Sequence, residues 1–309
     1  MRVVFMGTPD FSVPTLEALI TGHEIIAVVT QPDKPKGRGK AMQFPPVKSA
    51  ALAHDLPVFQ PVRVRDPEFI DTLRSMDPDV IVVVAFGQIL PESILSLPRY
   101  GCINVHASLL PKYRGAAPIQ WAIINGEKET GVTIMYMEKG LDTGDMIAKA
   151  SIPIDSRETG ESLHDKLSVL GGPLILEVLD QIGEGIIHRE KQDDSLSTYA
   201  GMLSKELGKI DWDKDAVSIE RLIRGLNSWP SAYTFLGERT LKIWMAEVVD
   251  GKKEMIPGTV IGTDRDSFTV QTGKGGLRIL EVQLQGKKRM PVQAFLLGYP
   301  MKNGMTLGD

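Results

Sequence analysis

Asn104 and His106, in the run Gly101-Cys102-Ile103-Asn104-Val105-His106-Ala107-Ser108, are side chains suited to work at a carbonyl. Two residues apart in a β-type run, they leave the same face of a strand. The Asn104 amide can donate to an oxygen that is gaining negative charge, while the His106 imidazole moves a proton or donates a second hydrogen bond. Attack on a carbonyl calls for both. Spacing alone favours a plainer reading, a polar strand end satisfied by local hydrogen bonds. Downstream lie a loop punctuated by proline and glycine, Ser108 to Ile119, then a β-type run from Thr130 to Met137. The glycine-framed acidic loop Gly140-Leu141-Asp142-Thr143-Gly144-Asp145 follows.

The elements that must position these residues alternate. Arg2 to Met6, Glu24 to Thr30 and Asp79 to Ala85 are apolar, β-branched runs, the last continuous enough for a strand covered on both faces. Helical patterns lie between them, after Gly7-Thr8-Pro9-Asp10, from Pro46 to His54 and from Pro67 to Met76. The order predicts an α/β fold with a doubly wound, mostly parallel, Rossmann-like sheet whose ligands sit at strand C-termini. A dinucleotide fingerprint is missing, since Gly7-Thr8-Pro9 places a proline where a phosphate would want an N–H. Gly7 is read as serving a tight strand-to-helix turn.

Gln31 to Phe44 sets Lys34, Lys36, Arg38 and Lys40 among prolines and glycines and reads as a long, mobile, basic loop. Apolar periodicity fades from Glu190 to Ser204. The predicted domains are therefore 1–189, a linker at 190–204, and 205–309. The last is expected to form a helix over 211–226 and then short strands, giving a C-terminal β-barrel of OB type.

Composition narrows the function classes. The 309 residues, 42% hydrophobic and 24% charged, suit about two globular domains. The net charge of -4 excludes a generally basic nucleic-acid coat, although residues 206–309 carry 15 Lys+Arg against 13 Asp+Glu. No apolar run reaches membrane-span length, and the N-terminus lacks a signal-peptide layout, so a soluble cytoplasmic protein is expected. Cys102 is the only cysteine and reads as inert packing; five scattered histidines show no zinc-ligand spacing, and no metal is expected. Trp121, Trp212, Trp229 and Trp244 read as buried aromatic packing.

Asn104-x-His106, followed by Ser108-Leu109-Leu110-Pro111-Lys112-Tyr113-Arg114-Gly115 and then Leu141-Asp142-Thr143-Gly144-Asp145, resembles the folate-dependent formyltransferases. The resemblance runs the whole chain, through Glu158-Thr159-Gly160-Glu161-Ser162-Leu163, Lys209-Ile210-Asp211-Trp212, Leu226-Asn227-Ser228-Trp229-Pro230 and Gln285-Gly286-Lys287-Lys288-Arg289-Met290. Ser228 departs from it, standing where many relatives carry proline. The resemblance implies that Asn104, His106 and Asp142 are catalytic and that 10-formyltetrahydrofolate is the formyl donor. It further implies donor binding by Ser108, Leu109, Leu110 and Pro111 with Ile89 and Leu90. The continuous run through Ala116-Ala117-Pro118-Ile119 and the opening Gly7-Thr8-Pro9-Asp10-Phe11 resemble the branch whose acceptor is the α-amino group of methionine on initiator methionyl-tRNA. In that branch Lys34, Lys36, Arg38, Lys40, Lys287, Lys288 and Arg289 are expected to bind tRNA, Arg38 most sensitively, and the protein to be a monomer. Formyl transfer to a small amine, such as glycinamide ribonucleotide or an amino sugar nucleotide, needs the same three residues. A noncatalytic RNA-binding protein is the alternative from another class, and deformylation of the folate by water would leave the basic loop and barrel unexplained.

Overall fold

A computed structural model describes residues 1–36, 41–252 and 254–308. Two compact units divide the chain, one comprising 1–118, 129–153 and 164–200, the other 119–128, 154–163 and 201–309.

The first unit opens with β1 (Arg2–Gly7), α1 (Val13–Gly22) and β2 (Glu24–Val29), followed by the short strands β3 (Lys34–Lys36) and β4 (Ala41–Gln43). Next come α2 (Pro46–Ala53), β5 (Val58–Phe59), α3 (Pro67–Ser75), β6 (Val80–Val84), α4 (Glu92–Leu95), β7 (Cys102–His106) and β8 (Arg114–Gly115). Then follow α5 (Pro118–Ile124), which beyond its first residue belongs to the second unit, β9 (Glu129–Tyr136), β10 (Met146–Pro153), α6 (Gly160–Gly183), whose first four residues also belong to the second unit, and β11 (Tyr199–Ala200). α3 shows how local chemistry sets an element. Pro67 stands where a helix N–H would go unpaired, Glu68 and Arg74 complement the helix dipole at its two ends, and Phe69 and Leu73 face the core.

One sheet runs in the order β10-β9-β7-β6-β1-β2-β5. The pairs from β7 through β5 are parallel, whereas β9 is antiparallel to β7 and β10 to β9. The chain runs outward from β1 to β5 and then returns to β6 on the other side of β1, the doubly wound arrangement expected. All five residues of β6 are buried, as a strand covered on both faces requires. Its C-terminal end is tied to the turn after β1, where Ser12 Oγ donates to the Val84 carbonyl at 2.7 Å and Thr8 Oγ1 to that of Phe86 at 2.9 Å.

The basic stretch differs from the loop expected. β3 and β4 pair antiparallel, Lys34 opposite Gln43, so the ends of the stretch form a ribbon. A two-stranded ribbon has only edge positions, and Pro35 is tolerated there. Arg38 and Lys40 lie outside the described residues. Residues 190–200, read as the start of a linker, hold a bridge from Glu190 to Met146, the buried Gln192, and β11 paired parallel to β8.

In the second unit, α7 (Ala216–Gly225) precedes β12 (Ala232–Leu236), β13 (Arg239–Val249), β14 (Val260–Thr263), β15 (Phe268–Gln271), β16 (Gly276–Leu284), β17 (Met290–Pro291) and α8 (Val292–Leu296). The strands form an antiparallel sheet, β12-β13-β16-β15-β14, with β17 beside β16. Two register shifts bend β13 where it pairs with β16. Ile219, Ile243, Phe268, Ile279 and Phe295 belong to its buried core. Trp212 packs there and donates to Thr234 Oγ1 at 3.0 Å, but Trp229 is 58% exposed, against the expectation of burial for all four tryptophans.

Asp215 caps α7, its carboxylate accepting from Ser218 N at 2.9 Å and Ser218 Oγ at 2.7 Å. These bonds, the hydroxyl's foremost, hold the Asp215 carboxyl below its ordinary pKa. Asp215→Ala is expected to cost about 1 kcal/mol in urea unfolding at neutral pH. A group whose folded pKa is depressed stabilises above its unfolded pKa and loses that contribution as pH falls through the folded value. The gap between wild type and variant should therefore close below about pH 4. A gap independent of pH would contradict the cap.

Candidate active site

β7 ends in the candidate pair. Period-two alternation puts Cys102, Asn104 and His106 on one face. Cys102 continues into the apolar core, where burial pushes its thiol up to about 12. Asn104 lies between Val83 of β6 and Met135 of β9, and His106 lies opposite Thr133. Asn104 is partly exposed. Its side-chain amide makes no hydrogen bond among the described residues.

His106 is buried and held by one ring nitrogen. Its Nε2 stands 2.9 Å from the Tyr113 carbonyl oxygen, which can only accept, so Nε2 carries the hydrogen. Nδ1 therefore faces Asp142, whose Oδ2 lies 3.8 Å away. That is beyond direct hydrogen-bond length, a separation that closure around substrate or a bridging water would span. The same Oδ2 accepts from Gly115 N at 2.8 Å. The site thus collects an uncommitted amide, an imidazole with one nitrogen free for proton exchange, and a carboxylate beside it.

Two glycines permit this approach. Gly115 has φ +113°, and a Cβ there would stand 2.7 Å from the Ala200 carbonyl oxygen. A Cβ at Gly144 would collide with the Tyr136 carbonyl oxygen, so only glycine lets the acidic loop fold back on β9.

The segment 108–111 is closed by internal bonds. Ser108 is buried and its hydroxyl donates to the Lys112 carbonyl at 2.7 Å. Thr133 Oγ1 donates to the Ser108 carbonyl at 2.7 Å and accepts from Leu110 N at 3.1 Å. Leu110 is buried with Met135 and Met146, whereas Leu109 and Pro111 are half-buried. Leu90 packs in the core cluster of the first unit, while its neighbour Ile89 is 88% exposed. Thr133 and Gln192, absent from the sequence-predicted set, bear directly on the loops around the pair. A polar residue opposite His106 was foreseeable only once strand register was known.

The expected nucleic-acid residues lie apart in sequence. Lys34 is exposed on β3; the side chain of Lys36 falls outside the described residues. At the root of that ribbon Lys48 Nζ donates to Asp33 Oδ2 at 2.6 Å and Gln60 Nε2 to Asp33 Oδ1 at 2.8 Å, and these bonds, the lysine's foremost, hold the Asp33 carboxyl below its usual range. Lys287 and Lys288 are exposed in the turn between β16 and β17. Arg289 pairs with Glu281 and lies 4.6 Å over the Trp244 ring, which Lys242 also approaches at 5.7 Å. Among the described residues no group of three or more His, Cys, Asp and Glu side chains could hold a metal ion.

The chain, a doubly wound sheet ending in this set and followed by an antiparallel β unit, belongs to the formyl transferase family, whose two domain models match most of its length. The family's formyl transferase domain matches residues 1–179 and its C-terminal domain residues 202–300. Within the family, the chain is 59% identical over 305 residues to the methionyl-tRNA formyltransferase of Agathobacter rectalis, covering 98% of each. It is 54% identical to that of Lachnospira eligens, covering 100% of each. An N-formyltransferase of Helicobacter canadensis, solved with folinic acid and dTDP-3-aminofucose, shares the fold with a TM-score of 0.69 at 19% identity, covering 94% of this chain and 100% of that one.

Proposed function

We propose that the protein transfers the formyl group of 10-formyltetrahydrofolate to the α-amino group of methionine on initiator methionyl-tRNA, for translation initiation. The observation that carries this reading is the full-length match to methionyl-tRNA formyltransferases, through the second unit as well as the first. In this reading residues 1–189 do the chemistry, with 190–200 packed against their acidic loop, and 205–309 hold tRNA. The protein acts as a cytoplasmic monomer; among the described residues no helix is long and apolar enough to cross a membrane.

The donor supplies its formyl carbon as an amide on the folate N10, with tetrahydrofolate leaving. The residues present suit it: Ile89 exposes a large apolar side chain suited to a flat ring, Leu90 and Leu110 are buried, and Leu109 and Pro111 are half-buried. Ser108 serves by bracing the loop. Asn104 donates to the formyl oxygen as negative charge develops there. Asp142, with a water, takes the proton that the attacking amine must shed. His106 steadies the same oxygen or relays a proton toward the departing nitrogen through the nitrogen facing Asp142. Lys34, Lys36, Arg38 and Lys40 contact tRNA from the first unit, and Lys287, Lys288 and Arg289 from the second.

The test supplies purified protein with 10-formyltetrahydrofolate and, separately, methionyl initiator tRNA, free methionine, glycinamide ribonucleotide and an amino sugar nucleotide. Formylation of the charged tRNA alone is expected. Lys287→Ala with Lys288→Ala should raise KM for tRNA and flatten its dependence on salt, by a slope of about one per lost phosphate contact. Transfer to a small amine in preference to the tRNA would overturn the reading in favour of the small-amine branch. Folate binding without transfer would leave the noncatalytic alternative standing.

A further inference from the structure

We infer that Gln192 is a positioning residue for Asp142, oriented for that task by Arg114. The inference rests on the catalytic reading of Asp142 given above. Gln192 is 5% exposed and makes four hydrogen bonds. Its Oε1 accepts from Arg114 Nε at 3.0 Å and Nη2 at 2.8 Å. A guanidinium has only donors, so it fixes which end of the amide is oxygen. The Nε2 end is thereby turned to the carbonyls of Asp142 and Gly144, each at 2.8 Å, and both of its hydrogens are used.

Those carbonyls flank Thr143 in a loop outside any helix or strand, with Asp142 in the left-handed region at φ +53°. A backbone carbonyl withdrawn from water needs a partner, and one side chain supplies it to the buried Gly144 carbonyl and to the part-buried Asp142 carbonyl. The segment beside Gln192's own anchor grips the carboxylate as well. Gly115 N bonds Asp142 Oδ2, Arg114 bonds Gln192, and Gln192 bonds the Asp142 backbone. Residues 114–115 are in turn paired with Tyr199–Ala200. The polar stretch 190–200 thus fixes the acidic loop from behind, and Arg114 acquires a role within the motif that carries it.

Gln192→Glu isolates the effect. The carboxylate keeps the shape and still accepts from Arg114, but it presents a bare oxygen to two carbonyls and loses both bonds. Expected in steady-state formylation is a kcat lower by about tenfold to 100-fold, the scale of a misplacement near 1 Å. KM for tRNA and donor should hold within about threefold. In the Asp142→Asn background the same change should cost less than about twofold, because a residue acting through Asp142 has nothing left to act on. Gln192→Met, similar in volume and without hydrogen bonds, is the second variant should the glutamate fail to fold, as judged by circular dichroism and Tm.

Equal losses in both backgrounds would mean a merely structural role and overturn the inference, as would full activity of both Gln192 variants. Full activity of Asp142→Asn by itself would instead overturn the catalytic reading, and the inference with it.

Discussion

His106→Ala is expected to lower kcat for formyl transfer by about 1000-fold, within the usual range for losing a proton-transfer group. The imidazole is buried, its Nε2 hydrogen is spent on the Tyr113 carbonyl, and Nδ1 looks at Asp142 across 3.8 Å. One nitrogen therefore fixes the ring while the other remains for chemistry. His106→Gln separates the two jobs, because a glutamine amide can reach the position of Nε2 and donate to Tyr113 yet places nothing where Nδ1 stood. The glutamine variant should unfold at nearly the wild-type temperature and be about as inactive as the alanine variant. Single-turnover formylation with both substrates saturating measures the chemical step directly. Activity of the glutamine variant near wild type would show that only the bond to Tyr113 matters, and the proton-transfer role would be lost.

Asn104→Ala should cost about 100-fold to 1000-fold in kcat, as removal of one donor to a developing oxyanion does. The effect should be clean because the amide is partly exposed and makes no hydrogen bond among the described residues. Its loss strands no buried partner, so Tm should stay within a few degrees, and KM for either substrate should change little. An interaction made only as charge develops is seen in kcat and not in KM. Asn104→Asp, nearly the same shape, presents a charged acceptor to an oxygen that is becoming negative and should be at least as damaging. If Asn104→Ala instead raised KM with kcat unchanged, Asn104 would be a binding residue and the carbonyl would have to find its donor elsewhere.

Both expectations concern side chains on one short strand, and that placement is legible in the sequence. Alternation along β7 is a local property, so Asn104 and His106 must share a face wherever the strand packs. Continuous β-branched runs likewise mark β1, β2 and β6, since such side chains suit a sheet buried on both sides. The family motifs bring Asp142 into the set by resemblance. In the second unit, short runs parted by turn residues indicate the antiparallel strands, although not the bend in β13.

What the tertiary structure alone decides is which distant groups meet. Thr133 faces His106 only because β9 lies antiparallel to β7 in that register. Asp142 reaches Gly115 and nears His106 only through the fold of its loop. Gln192 is the sharpest case, because periodicity reports apolar burial and the stretch 190–200 is secured by polar bonds to Arg114, Asp142 and Gly144. Its sequence therefore has the look of a linker, while its side chain is buried. Patterns of hydrophobicity encode which face of an element turns inward; the partners of a buried polar group are set by register and loop closure across the chain, and those exist only after folding.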